Sequence, residues 1–283
     1  MNSSTPYPVQ GAGLGLRRGL FDTLRDIDLD DVDFLEVAPE NWMRVGGRLA
    51  RNFRSFTERF PLVCHGLSLS LGSPAPLDVE FVRELKEFLD ANDVCCFTEH
   101  LSYCSDHGHL YDLMPIPFTD EAADYVAGRI RQVQDILERR IGVEHVSYYA
   151  APGQEMSELD FIRSVVERAD CGFLLDVNNI YVNSINFGYD ADAFLAGLPT
   201  ERTLYVHVAG HYVEAEDLRI DTHSAAVIDP VWALLDAAYE QCGVMPTLLE
   251  RDFNFPPKEV LLGEVERIRQ AQHRWSAEHA DAR

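Results

Sequence analysis

Short apolar, β-branched runs alternate with longer segments of helical spacing from one end of the chain to the other. Each run has a length typical of a strand and is bounded by turn residues, so we predict that it forms a strand. The predicted strands cover residues 11–16, 34–38, 62–69, 95–101, 143–149, 172–177, 203–208 and 247–250.

The segments between these strands have apolar residues at helical spacing, most clearly at 78–91, 119–140 and 229–241. They begin with Asp78, Thr119 and Asp229, residue types that cap helices, and a proline follows the last of them. No linker or repeat interrupts the alternation. This pattern in 283 residues favours one α/β domain, a single (β/α)8 TIM barrel over residues 1–283, above a doubly wound sheet. Residues 1–10 and 271–283 are expected to be peripheral.

The chain carries 24 Lys and Arg against 47 Asp and Glu, a formal net charge of -23. So negative a field repels phosphate backbones and anionic lipid, and therefore argues against nucleic-acid and membrane partners. No apolar run approaches the roughly 20 residues of a transmembrane helix, and residues 1–10 lack the pattern of a signal peptide, which predicts a cytoplasmic protein. Six cysteines without a C-x-x-C pair are interpreted as buried, reduced thiols.

Histidine and carboxylate residues are concentrated at the ends of the predicted strands, where barrel enzymes build their active sites. Taken singly, His65 fits a hydrogen-bonded core histidine, and Glu144 fits a helix cap or an arginine partner. Taken together, so many ionisable groups in one confined mouth favour metal binding, because buried charges are tolerated when they are paired or metal-bound. The strand-end and following-loop positions are Glu36, His65, Glu99, His100, Glu144, Asp176, His207, His211, Asp221, His223 and Glu250.

The ligand types narrow the choice of metal. Imidazole and carboxylate without thiolate suit iron, zinc, manganese or cobalt. Because the set holds more donors than one ion needs, we predict two or three ions, with Glu144 or Glu250 as candidate bridging carboxylates. Glu36 and Glu99 are candidates for anchoring neighbouring histidine or arginine side chains by hydrogen bonds.

The order of these residues resembles the trinuclear metal site of the xylose-isomerase-like barrels, the superfamily that includes endonuclease IV. In that pattern the ligands follow strands three to eight, and an Asp-x-x-His motif follows strand six. Asn179 stands in this chain where that motif has its histidine, and an amide oxygen is a weaker ligand than an imidazole. The resemblance implies metal ligation by His65, His100, Glu144, Asp176, Asn179, His207, Asp221, His223 and Glu250.

Longer strings resemble a narrower family, the multinuclear non-haem iron-dependent oxidative enzymes. The strings are FLEVAPENWM, CHGLSLSLGS, FTEHLSY, HLYDLMPIPFT, LLDVNNIYVNSINFGYD, HVAGHY, IDTH and TLLERDFNFPP, and together they extend over about residues 11–269. The resemblance implies a barrel with two or three iron ions in a mixed-valence Fe(II)/Fe(III) centre and dioxygen as co-substrate. It also implies oxidation of a ribosomally made precursor peptide, often at cysteine, a small partner protein that presents the peptide, and a link to copper homeostasis.

Two residues are candidate catalytic groups. His211, four residues after His207, is compatible with replacing the missing histidine ligand, with acid–base chemistry, or with hydrogen bonding to a ligand. Asn178 is a candidate for the substrate mouth and is equally typical of an irregular loop.

Two further functions are compatible with the same residues. One is a phosphodiesterase or sugar isomerase that uses zinc or manganese as a Lewis acid. The other is a metal-storage or scaffold protein without turnover. The net charge of -23 argues against a DNA-directed form of the first, and the sequence as a whole favours an iron-dependent peptide oxidase.

Overall fold

The computed structural model describes residues 7–106 and 108–281. Its strands are β1 Ala12–Gly15, β2 Phe34–Val37, β3 Leu62–Gly66, β4 Phe97–His100, β5 Ser102–Ser105, β6 His109–Pro115, β7 Gly142–Glu144, β8 Gly172–Asp176, β9 Thr203–Ala209, β10 Tyr212–Ala215, β11 Leu218–Ile220 and β12 Thr247–Glu250. A parallel sheet closes on itself in the order β1-β12-β9-β8-β7-β4-β3-β2. The predicted (β/α)8 barrel is therefore confirmed.

Two antiparallel hairpins were not predicted. β5 pairs with β6 directly after β4, and β10 pairs with β11 directly after β9. Each follows the carboxyl end of a barrel strand, so both hairpins stand at the end of the barrel where active sites of this fold are built.

The helices cover the outside of the sheet. Asp78 and Thr119 cap their helices as predicted, because each side chain accepts a hydrogen bond from a backbone N–H of the first turn. Asp229 is not a cap: Ile228 occupies that position, and the Asp229 carboxylate pairs with Arg267 at 3.0 Å. The helices are α1 Gly47–Thr57, α2 Val79–Ala91, α3 Asp120–Leu137, α4 Glu158–Ala169, α5 Val177–Phe187, α6 Ala191–Gly197, α7 Asp229–Cys242 and α8 Lys258–Asp281.

The strand predicted at 143–149 is shorter in the structure and ends at Glu144. Beyond this point the side chain of Asn183 replaces a neighbouring strand as the backbone's partner. Its Oδ1 accepts a hydrogen bond from the N–H of Tyr148, and its Nδ2 donates to the carbonyl of Val146. The apolar pattern continues after Glu144, but the chain has already left the sheet.

The cysteines are all free thiols, and most are buried as predicted. Cys95 is the exception, since it is exposed, and Cys242 is half-buried. Cys95 precedes β4 and is followed by Cys96, which points into the barrel. Neighbouring residues of an extended segment point to opposite sides, so Cys95 faces outward.

Side chains on the barrel strands alternate between two apolar environments. On β2, Leu35 and Val37 join the main core between sheet and helices, whereas Phe34 belongs to a smaller cluster. Because alternate residues point to opposite faces, this interior cluster fills the barrel. A Cβ on Gly13 would lie 2.4 Å from the Phe34 ring, so β1 needs glycine there. The interior cluster consists of Val9, Phe34, Val63, Cys96, Leu174, Tyr205 and Leu248.

The expected peripheral ends fall partly outside the described residues, at 1–6 and 282–283. Within the described part, Val9 is buried in the interior cluster. Gln272 of α8 donates hydrogen bonds to the carbonyls of Gly11 and Met245, so both ends contact the barrel. No helix in the described ranges is both long and apolar enough to cross a bilayer.

Candidate metal centre

The barrel strands place polar side chains in the barrel interior, two residues beyond the interior cluster. On β3, Val63 belongs to the cluster and His65 lies two residues further along the strand. On β8, Leu174 and Asp176 have the same spacing. Side chains two apart on a strand point the same way, so these polar groups also point inward. The buried polar positions at this level are Glu36, His65, Thr98, Glu144, Asp176, His207 and Glu250.

The first group of candidate ligands consists of His65, His100 and Glu144. Oε2 of Glu144 lies 2.9 Å from Nε2 of His65 and 3.3 Å from Nε2 of His100. The two imidazole nitrogens are 3.0 Å apart. Two imidazoles and a carboxylate that converge in this way form a donor set suited to iron or zinc.

Two further groups share members with the first. Glu144, Asp176 and His207 form the second group, and Asp176, His223 and Glu250 form the third. Nδ1 of His207 lies 3.5 Å from Oε1 of Glu144, 3.8 Å from Oδ2 of Asp176, and 3.2 Å from the nearer oxygen of Glu250. Two carboxylates, Glu144 and Asp176, therefore each belong to two neighbouring groups, as carboxylate bridges between metal ions would.

Backbone and hydroxyl oxygens hold the histidines of the first group. Nδ1 of His65 lies 2.8 Å from Oγ1 of Thr98, and Nδ1 of His100 lies 2.8 Å from the carbonyl oxygen of Gly66. In both rings the other nitrogen, Nε2, faces Glu144. A proton on the Nδ1 side leaves the Nε2 lone pair available to a metal.

Carboxylates hold the other two histidines. Nε2 of His207 lies 2.8 Å from Oε2 of Glu36. Nδ1 of His223 lies 3.0 Å from Oδ2 of Asp252, while Nε2 of His223 lies 2.8 Å from Oδ1 of Asp221. Carboxylate partners of this kind orient a metal-binding imidazole and make it more basic.

The crowding of charges shifts the pKa values of the buried groups. Burial raises the pKa of Asp176 well above its usual range, and the charge of Glu144 raises it further. Burial alone would lower the pKa of His207, but the charges of Glu36 and Glu250 outweigh it and raise that pKa well above its usual value. Asp176 and His207 therefore hold protons more tightly than usual. A metal ion would displace these protons, so its affinity falls as the pH is lowered.

Asn179 lies at the start of α5, beside the first and second groups. Its backbone N–H donates to Oδ1 of Asp176 at 2.7 Å, and its side-chain Nδ2 donates to the carbonyl of His145 at 3.1 Å. Its amide oxygen is buried and has no hydrogen-bond partner among the described residues. That oxygen is the atom through which Asn179 would act as a ligand.

His211 and Asn178 lie behind Asp221. Nδ1 of His211 is 2.8 Å from Oδ1 of Asn178. The Nδ2 of Asn178 in turn donates a hydrogen bond to Oδ1 of Asp221 at 2.9 Å. Neither residue is among the described residues that line the cavity in front of the metal groups. Both are placed to orient Asp221, and a direct catalytic role for them stays a prediction.

Arg17 and Asp252 also belong to the site and were not predicted from the sequence. Arg17 follows β1, and its guanidinium binds Oε1 of Glu250 at 3.1 Å and the carboxylate of Asp252. Asp252 in turn holds His223. The available signal was their position, since each lies two residues beyond the end of a barrel strand.

A cavity of about 810 Å³ opens in front of the three groups. Charged and polar groups form its base, and apolar side chains with substantial exposure lie on its lining, among them Leu67, Tyr149 and Phe253. A cavity of this size accommodates several amino-acid side chains.

The residues present fit a metal ion. Two buried oxygen atoms that face the three groups, Oδ2 of Asp176 and Oδ1 of Asn179, have no hydrogen-bond partner within residues 7–106 and 108–281. Buried polar atoms without partners destabilise a protein. Cations bound between these atoms would satisfy them.

Fold and site together define a (β/α)8 TIM barrel with histidine and carboxylate side chains that can bind metal ions at its mouth. L-ribulose 3-epimerase shares this fold, with a TM-score of 0.65 and 12% identity over 96% of this chain and 97% of its own. A xylose isomerase domain protein from Planctomyces limnophilus has a TM-score of 0.61 and 13% identity over 96% and 99% of the two chains. At such low identity these likenesses concern the fold alone.

The family is defined by sequence. The profile of the family described as "RiPP precursor modification enzyme MbnB/TglH/ChrH" matches residues 11–273, so the chain belongs to this family of enzymes that act on ribosomally made precursor peptides. A UPF0276 protein of Alcanivorax borkumensis is 60% identical over 271 residues, 92% of this chain and 91% of its own. A UPF0276 protein of Pseudomonas aeruginosa is 56% identical over 266 residues, 94% of each chain.

Proposed function

We propose that this protein is an iron- and dioxygen-dependent enzyme that oxidises a ribosomally made precursor peptide, at cysteine. The observation that carries the proposal is the set of three overlapping histidine and carboxylate groups that share Glu144 and Asp176. Membership of a precursor-modifying family supplies the substrate class. The overlap supports a centre of two or three ions, because shared carboxylates would bridge neighbouring metals.

The proposed ligands divide along the three groups. His65, His100 and Glu144 would hold one ion, and Asp176 with His207 would hold its neighbour. Iron bound there would supply a redox-active Lewis acid that binds both dioxygen and a substrate thiolate. The third ion would be held by His223 and Glu250 with the shared carboxylate of Asp176, and the remaining proposed ligands are Asp221 and the amide oxygen of Asn179.

The protein's own residues would position the reacting segment of the peptide. The base of the cavity is polar and its lining includes Leu67, Tyr149 and Phe253, whose exposed apolar surfaces would bind the peptide and exclude water. Such positioning fixes the substrate's geometry relative to the centre before reaction. A small partner protein would present the precursor, and a formal net charge of -23 suits a partner or peptide with basic residues.

The cytoplasm is the proposed location. Four cysteines are buried free thiols, and the structure forms no disulfide among its six described cysteines. A reducing compartment keeps thiols in this state.

The test is a comparison of iron content and oxygen consumption. Protein purified without oxygen should contain two or more irons per chain. It should consume oxygen when a cysteine-containing precursor encoded beside its gene is added, and the peptide mass should change. The same precursor with serine in place of cysteine is the control and should cause no consumption. Tight zinc binding with phosphatase or sugar-isomerase activity that persists without oxygen would contradict the proposal.

A further inference from the structure

A hydrogen-bond chain crosses the barrel interior beneath the metal groups and ends on Glu36. Oε2 of Glu36 accepts a hydrogen bond from the Tyr205 hydroxyl at 2.7 Å. The same hydroxyl lies 2.9 Å from Oγ1 of Thr98, which lies 2.8 Å from Nδ1 of His65. Oε2 of Glu36 also lies 2.8 Å from Nε2 of His207. All five side chains are buried, with exposures between 0 and 4%.

The direction of every hydrogen bond in the chain follows from the chemistry of its end. The Tyr205 hydroxyl donates its single proton to Oε2 of Glu36. Tyr205 can then only accept from Thr98, which lies 2.9 Å away, whereas the other acceptor near the Thr98 hydroxyl, the carbonyl of Cys64, is more distant at 3.5 Å. Having given its proton to Tyr205, Thr98 can only accept from His65. The proton of His65 therefore lies on Nδ1. By the same argument the Nε2 of His207 carries a proton toward Glu36.

We propose that Glu36 is a positioning residue that fixes which ring nitrogen two histidines offer to metal. It acts on His207 directly and on His65 through Tyr205 and Thr98. His65 then presents Nε2 and His207 presents Nδ1, and these are the atoms that face Glu144. One buried carboxylate thereby prepares two neighbouring metal positions. This inference rests on the proposed metal centre, but it concerns the chain's own hydrogen-bond order.

The chain offers a matched control. Tyr239 is another fully buried tyrosine, and its hydroxyl bonds Thr247, a threonine on a barrel strand. Neither Tyr239 nor Thr247 hydrogen-bonds any of the four histidines discussed above. Tyr205→Phe and Tyr239→Phe therefore remove the same atom from similar surroundings, and only the first breaks the link between Glu36 and Thr98.

The experiment uses zinc as a diamagnetic probe and nitrogen NMR of labelled histidines, with His65→Gln and His207→Gln for assignment. In the zinc-loaded wild-type protein, His65 should keep its proton on Nδ1 and His207 on Nε2. Tyr205→Phe should release the constraint on the protonated nitrogen of His65 but leave the His207 proton on Nε2, and it should weaken zinc binding by about 10- to 100-fold. Thr98→Val should do the same. Glu36→Leu should disturb both histidines, and Tyr239→Phe neither.

Two results would overturn the inference while the metal centre stands. One is zinc-loaded wild-type protein with the opposite protonated nitrogen on His65 or His207. The other is a Tyr205→Phe variant whose zinc affinity and histidine signals match those of Tyr239→Phe. Wild-type protein in which neither zinc nor iron binds these histidines would overturn the proposed function together with this inference, so the two failures are distinguishable.

Discussion

Two levels of the barrel interior differ sharply although the same strands build both. At the lower level Phe34, Val63, Leu174 and Leu248 pack into an apolar cluster. Two residues further along each strand the inward side chain is ionisable and buried, and the corresponding list reads Glu36, His65, Asp176 and Glu250. A distance of two residues along the strand therefore separates a region that stabilises the fold from a region with the candidate metal ligands.

The comparison shows where the fold's stability and its chemistry reside. Apolar side chains at the lower level contribute free energy of folding by leaving water. Carboxylates at the upper level are buried side by side, which is unfavourable without cations or protons between them. We therefore expect substitutions at the lower level to reduce stability and substitutions at the upper level to reduce metal binding, and the first two predictions below test that contrast.

The largest effect is expected at the upper level, from Asp176→Asn. The side-chain oxygen at position 176 still accepts a hydrogen bond from the backbone N–H of Asn179, and this bond caps α5. The fold should therefore persist. The charge shared by the second and third metal groups is lost, and iron content should fall to one ion or fewer per chain, with peptide oxidation below detection. Metal analysis and circular dichroism check this, and a variant with full iron content would contradict the ligand assignment.

The matched change at the lower level is Leu174→Ala, two residues earlier on the same strand. Loss of a fully buried leucine from the interior cluster should lower the free energy of unfolding by about 2 to 5 kcal/mol. Iron content per folded chain should stay at the wild-type value. Denaturant unfolding and metal analysis measure the two quantities, and a loss of iron without a loss of stability would break the contrast between levels.

A smaller effect is expected from Arg17→Met, which removes the cation bound to Glu250 and Asp252. These carboxylates would then repel each other, and Asp252 would hold His223 less firmly. Metal affinity should fall by about 10- to 100-fold, as for other groups that orient metal ligands. Competition with a chelator of known affinity gives the value. Arg267→Met, which breaks an exposed ion pair on α8, is the control and should leave the affinity unchanged.

The smallest effect concerns Glu158, a carboxylate that lies outside both levels. Burial raises its pKa to about 7, although a hydrogen bond from Tyr148 opposes this. The raised pKa means that the folded state prefers the protonated form, so its contribution to stability is complete below the unfolded pKa of about 4.5 and is lost as the pH rises through about 7.

Glu158→Gln removes this titration but keeps the acceptor for Tyr148. The variant should therefore gain about 1 to 2 kcal/mol relative to wild type between pH 5 and pH 8, with iron content unchanged. Denaturant unfolding at the two pH values measures the gain. An equal stability difference at both values would show that Glu158 is ionised throughout.

Much of the fold was readable from the sequence because parallel barrel strands are buried on both faces and appear as continuous apolar runs. Most of the candidate ligands could be recognised in the sequence for a related reason, since they lie at or just after the end of an apolar run. His65 and Asp176 can be recognised because each is a polar residue in an apolar segment.

The residues that were missed depend on contacts between distant parts of the chain. Arg17 meets Glu250 because β1 closes the barrel against β12, and the two residues are 233 positions apart. The position of His211, away from the cavity lining, depends on its hydrogen bond to Asn178 on α5. The local sequence pattern does not predict either contact.

The central claim is that the upper level holds a multinuclear iron centre built on the shared carboxylates Glu144 and Asp176. The most direct measurement is Mössbauer spectroscopy with metal analysis on protein prepared without oxygen and reconstituted with ⁵⁷Fe. We expect two or three irons per chain with magnetically coupled sites in the wild-type protein, and one iron or fewer without coupling in Asp176→Asn. A single isolated iron in the wild-type protein, or iron that survives that substitution in full, would contradict the claim.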